Sequence, residues 1–137
     1  MDKLLRSRLS EYIWTSEVGC KCPACRLTGP FMPDPGVVSL FDRWRALVGH
    51  ALPITCFERC ITRNAVVGGA PDSVHLLAAA IDFYDPTSEI TPDYLNSLDQ
   101  FVGPGGLGVY NVEGHFHIDV GHLLGLPRGR RWNGILK

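Results

Sequence analysis

The chain has no long hydrophobic run, no excess of either charge and no internal repeat, and each absence removes a class of protein. Its longest apolar run, Leu76 to Ile81, is far short of the ~20 residues that cross a bilayer, so no membrane insertion is expected. Thirteen Lys and Arg stand against 14 Asp and Glu for a net charge of −1, without the basic excess that marks a nucleic-acid partner. The opening MDKLLRSRLSEYIW lacks the apolar segment of a secretory signal, so synthesis in the cytoplasm is expected. No linker divides the 137 residues, which read as one domain, 1–137, expected to be a monomer.

What the sequence has in plenty is cysteine. Of its five, Cys20, Cys22 and Cys25 cluster in GCKCPAC, and Cys56 and Cys60 follow. An odd number cannot pair fully within one chain. Three readings stay open: a structural metal held by Cys20, Cys22 and Cys25 with Cys56 or Cys60 as fourth ligand, one or two disulfides, or free thiols.

Local patterns predict an α+β fold, a few helices packed on a small, largely antiparallel sheet. Leu4 to Trp14 is expected to be a short helix, and Thr28 to Val37 a Pro/Gly-rich loop. SLFDRWRALVGH places Leu40, Trp44, Leu47 and Val48 at helical spacing, with Ser39 and Asp42 as a capping signal and Gly49 as the stop. Leu52–Phe57 reads as a strand, Asn64–His75 as loop, and Ala78–Tyr84 as a buried strand with helix as the rival. Thr91 and Pro92 look like the N-cap and first turn of another helix, with Leu95, Leu98 and Val102 on one face. Leu107–Tyr110 and His115–Val120 are expected to pair as a hairpin, and the tail around Arg128, Arg130, Arg131 and Trp132 to be loop.

The stretch NVEGHFHIDVG alternates Glu113, His115, His117 and Asp119 with Phe116, Ile118 and Val120, so a strand would put the four polar groups on one face. Such a face fits any half-wet strand. Elsewhere, His75 precedes by seven residues an aspartate, Asp82, set inside the apolar run AAAIDFY. A carboxylate buried there is costly without a cation or donor. A hydrolytic zinc site uses three protein ligands and keeps a position open, and His75, Asp82 and one histidine of the HFH pair would supply such a set.

RNAVVGGAPDSVHLLAAAID, Arg63 to Asp82, with its Ser-x-His-x6-Asp pattern, resembles the zinc D-Ala-D-Ala carboxypeptidase family, whose metal-site fold is shared with lysostaphin-type endopeptidases and the hedgehog signalling domain. GVYNVEGHFHIDVG followed by RRW is similar to the family's second half, and YIWTSEV and LFDRWRALVGHALPITCFER to its lead-in. The resemblance implies that His75, Asp82 and His117 ligate one catalytic Zn2+, that Ser73 contacts substrate, and that Arg59 steadies the scissile carbonyl or a substrate carboxylate. A second, structural zinc would belong to the cysteines.

Many relatives carry a Glu three residues before the last ligand; here that residue is Gly114. His115 is the preferred proton carrier and Glu113 its rival, while Asp119 is expected to orient His117. The family's Ser-Gly-Tyr-Arg approach is replaced by Cys56-Phe57-Glu58-Arg59, which alters the substrate wall. The implied activity is hydrolysis of peptidoglycan stem peptides next to D-alanine, at the cell wall after release, as in a phage-type lysis enzyme. The alternatives are a non-catalytic peptidoglycan-binding or phage structural module, and a zinc module held by the cysteines alone.

Overall fold

Asp34 and Pro35 set the start of the first long helix. Pro35 needs no backbone donor at the first helical position, and the Asp34 carboxylate accepts from Gly36 N–H at 2.7 Å. This helix, α1, runs Pro35–Val48 and stops at Gly49, whose φ of 78° is the left-handed turn a glycine adopts freely. The capping signal is therefore not Ser39 with Asp42; Asp42 instead accepts from the Ser10 hydroxyl at 3.0 Å. The computed structural model describes residues 8–18, 20, 33–59, 61–69 and 73–136.

Five strands follow: β1 Ile54–Cys56, β2 Ala80–Tyr84, β3 Gly106–Tyr110, β4 His115–Asp119 and β5 Arg131–Gly134. They lie in the order β1-β2-β4-β3-β5. Three pairings are antiparallel and β3–β5 is parallel, so the sheet is mixed rather than purely antiparallel. β3 and β4 pair as the expected hairpin. Two further helices complete the frame: α2, Ile61–Val66, and α3, Pro92–Val102, the latter capped by the Thr91 hydroxyl accepting from Tyr94 N–H.

Alternation along the central strands divides their side chains between two faces. Ile81 and Phe83 of β2 and Phe116 and Ile118 of β4 are fully buried and belong to one core with Val37, Phe41 and Trp44 of α1 and Leu98 of α3. Phe41 meets Phe83 edge-on at 5.8 Å, and Trp44 meets Tyr94 at 5.5 Å. Each such ring contributes roughly 1.5–3 kcal/mol by burial. Ala80, Asp82, His117 and Asp119 are on the opposite face, where β2 and β4 pair Asp82 directly with His117.

Three expectations are corrected. Residues 8–14 are not helical: Leu9 and Ser10 N–H both reach Ile13 O in a tight turn, closed by an Arg8–Trp14 bridge and followed by a 3₁₀ turn, Thr15–Glu17. The rest of that proposed helix, residues 4–7, lies outside the described residues, as do residues 28–32 of the Pro/Gly-rich loop. Asn64–Val66 belongs to α2 instead of a loop. The tail forms β5, because its backbone finds partners along β3, Leu107↔Arg131 to Tyr110↔Gly134.

Candidate metal centre

His75 stands in a 3₁₀ turn, Val74–Leu77, whose entry is capped by the Ser73 hydroxyl accepting from His75 N–H at 3.3 Å. The turn closes at Ala78, a non-glycine residue with φ 52° held by its N–H on His75 O. Arg59 N–H also donates to His75 O, at 3.0 Å. The His75 backbone is thus fixed on both its N–H and its carbonyl. The imidazole Nδ1 lies 2.7 Å from Phe57 O, and because a carbonyl only accepts, Nδ1 carries the hydrogen and Nε2 faces Asp82.

Asp82 Oδ1 is the meeting point. His75 Nε2 lies 3.1 Å from it and His117 Nδ1 2.8 Å, while Asp82 Oδ2 accepts from the Tyr110 hydroxyl at 2.9 Å. On its far nitrogen, His117 Nε2 donates to Asp119 Oδ2 at 2.7 Å. Asp119 in turn accepts on Oδ1 from Gly106 N–H, Gly121 N–H and the Arg130 guanidinium. A side chain at Gly106 would collide with this carboxylate, so the close approach requires glycine there.

Charge follows the geometry. Burial opposes a charge on His75, but the adjacent Asp82 carboxylate outweighs it and pushes the imidazole up to about 10. Burial likewise opposes the charge on Asp82, yet the two histidines hold its carboxyl far below the usual range. At Asp119 burial is again overcome, by the His117 hydrogen bond first, and the carboxyl falls to about 2. Burial and the Asp82 charge together keep the Tyr110 phenol protonated.

Donor identity and direction fit a zinc ion: imidazole nitrogens and a carboxylate oxygen converge, and each histidine is backed on its other nitrogen by an acceptor. Cys56 stands close as well. Its Sγ is 3.6 Å from His75 Nδ1, and Cys56, His75 and Asp82 bring one donor atom each within 4.8 Å of one another. Among the described residues that trio is the group whose donor atoms all lie so close together, although the thiol approaches the His75 nitrogen already engaged by Phe57 O.

The centre opens into a cleft of about 640 Å³ lined on one side by Glu58, Arg59, Gly69 and Ser73 and on the other by Tyr110, Arg130 and Trp132. Arg59 Nε is buried without a hydrogen-bond partner among the described residues. His115 lies on the same face of β4 as His117 but outside this lining, its ring stacked on Tyr84 at 4.2 Å. Glu113 is exposed in the β3–β4 turn, also outside the lining. Sequence reasoning missed Tyr110 and the Arg130 contact with Asp119; only the sheet order brings them in. Of the cysteine cluster, Cys20 is buried, with its N–H donating to Glu58 Oε2 at 2.7 Å, whereas Cys22, Cys25 and Cys60 lie outside the described residues.

A cleft floored by two histidines that meet one aspartate oxygen has the donor set of a metallohydrolase type of centre. Residues 11–119 match the family described as Peptidase M15, and the chain belongs to that family of zinc-dependent metallopeptidases. No curated protein matches it. Among the described residues, no helix is long and apolar enough to cross a membrane.

Proposed function

We propose that the protein is a zinc peptidase that hydrolyses peptidoglycan stem peptides next to D-alanine, with His75, Asp82 and His117 holding the metal. The observation that carries this reading is the shared Asp82 oxygen, reached by both histidines at the floor of an open cleft. Zinc bound there supplies Lewis-acid chemistry toward a peptide carbonyl and water. The chain's own residues do the rest. Asp119 and Phe57 O fix which nitrogen each histidine presents, and Tyr110 holds the second Asp82 oxygen. Arg59 is available to pair with developing negative charge on the substrate.

His115 is our choice for moving the proton, at an imidazole nitrogen two residues along β4 from His117. Glu58 is a second candidate, because among the described residues it is the one carboxylate besides Asp82 in the cleft lining and burial raises its pKa. The lysis-enzyme setting rests on the resemblance alone. Digestion of purified muropeptides with and without chelator tests the whole reading. Chelator-sensitive release of D-alanine or of a D-alanyl peptide is expected; no such cleavage across the stem-peptide panel would overturn it in favour of a binding module.

A further inference from the structure

Strand register lines up one row of residues across the entire sheet: Cys56, Asp82, His117, Gly108 and Trp132 are successive partners from β1 to β5. Four strand spacings make this row roughly 19 Å long, about the reach of five extended residues. The cleft follows it, since every strand contributes to its lining. The metal donors Asp82 and His117 sit inside the row, so a peptide crossing them has room on both sides.

The two sides differ in chemistry. Toward β1 the lining carries polar and charged groups of both signs, Glu58, Arg59 and Ser73, beside Val67 and Val74. Toward β5 it is largely apolar, Trp132, Leu126, Pro127, Ile135 and Leu136, with Arg130 beside them. Gly108 shapes this wall: a Cβ there would lie 2.7 Å from the Trp132 indole, so the missing side chain lets the ring fold down over the sheet. The indole thereby comes within 4.9 Å of the His117 ring, with the Arg130 guanidinium 5.6 Å away. Trp132 is still 37% exposed and Ile135 70%, leaving apolar surface at the cleft edge beside the metal donors. All these wall residues follow the family-matched segment, which ends at residue 119.

We propose that the β5 side of the cleft is a substrate subsite for an aliphatic side chain flanking the scissile bond, with Trp132 as its specificity-determining residue. This rests on the peptidase reading. An aliphatic side chain covers the indole and Ile135, whereas a carboxylate there would lose water against a wall that is apolar apart from Arg130, whose Nη2 already donates to Asp119 and whose Nε is buried.

Matched capped peptides bearing Leu, Ala or Glu on either side of the scissile bond test it with zinc-loaded protein. On one of the two sides, Leu or Ala should exceed Glu in kcat/KM by about tenfold or more. In Trp132→Ala that ratio should fall at least about fivefold. Ile135→Glu, a change at an exposed position that spares the fold, should lower the ratio as well. A Trp132→Ala enzyme slowed equally on all peptides would make the ring a mere support for His117 and overturn the proposal. Binding is read separately, in metal-free protein, from the Trp132 indole N–H signal assigned by its loss in Trp132→Phe. The Leu peptide should move it and the Glu peptide should not. If that selectivity appears while neither these peptides nor the stem-peptide panel is cleaved, the subsite stands and the peptidase reading fails; no movement with any peptide overturns the subsite.

Discussion

Asp82 divides its work between two oxygens, one facing both histidines and one held by Tyr110, and this division sets what single substitutions should do. Asp119 touches no open part of the cleft lining but governs His117 through Nε2. Asp119→Ala should therefore weaken zinc binding about 10–100-fold, read by competition with a chromophoric chelator. His115→Gln should reduce kcat roughly 100-fold on a good peptide substrate while zinc content stays at the wild-type level. Glu58→Gln should cost no more than about threefold by the same reasoning; the opposite ranking would transfer the proton to the cleft carboxylate. His75, Asp82 and His117 read together in the sequence because the Ser-x-His-x6-Asp spacing and the HFHID alternation are local, and the structure brings their side chains together at Asp82 Oδ1. Tyr110, Arg130 and Trp132 were not legible there, since they join the site only through strand order and register.

Among the elements, the ones that announced themselves are those whose signals are local. Thr91 and Pro92 begin α3 as expected, and Gly49 ends α1. The start of α1 was misjudged because Asp34-Pro35 sits in a Pro/Gly-rich stretch that resembles loop, while Ser39 and Asp42 imitate a cap inside the helix. Asp34→Ala should destabilise the protein by about 1 kcal/mol in urea unfolding, as loss of an N-cap acceptor does. β5 escaped notice for a different reason: Arg131, Trp132 and Asn133 are exposed, and the strand owes its existence to a parallel partner far away in sequence. Gly108→Ala should displace the Trp132 ring and lower peptide affinity while the β3–β4 hairpin persists; unchanged indole chemical shift in that variant would contradict the register.

At the scale of the molecule, one buried carboxylate ties several elements together. Asp85, just beyond β2, accepts from His50 at the end of α1, from Ser88 and Thr87 N–H, and from the Tyr94 hydroxyl on α3. Burial pushes its carboxyl up, but the Ser88, Tyr94 and His50 hydrogen bonds bring it from 3.8 down to about 2. A carboxyl lowered on folding stabilises the native state above its unfolded pKa, and that contribution drains away as pH falls through the folded value. Stability should thus drop by about 2 kcal/mol between roughly pH 4 and pH 2 on account of Asp85 alone. Urea titrations of Asp85→Asn should show a shallower acid limb over the same interval, with lower stability at neutral pH; parallel curves for both proteins would refute the assignment.

The row from Cys56 to Trp132 has a consequence for how the protein can change. The donors proposed for the metal are encoded between His75 and His117, whereas the wall beyond Gly108 is encoded after residue 119 and attaches to β3 through backbone pairing. On the peptidase reading, the proposed metal donors and the proposed selectivity wall therefore lie in different stretches of chain. Exchanging the β5 segment between relatives would retune which peptides are accepted while the centre keeps its ligands, provided that Arg130, whose guanidinium joins the two parts through Asp119, travels with the graft.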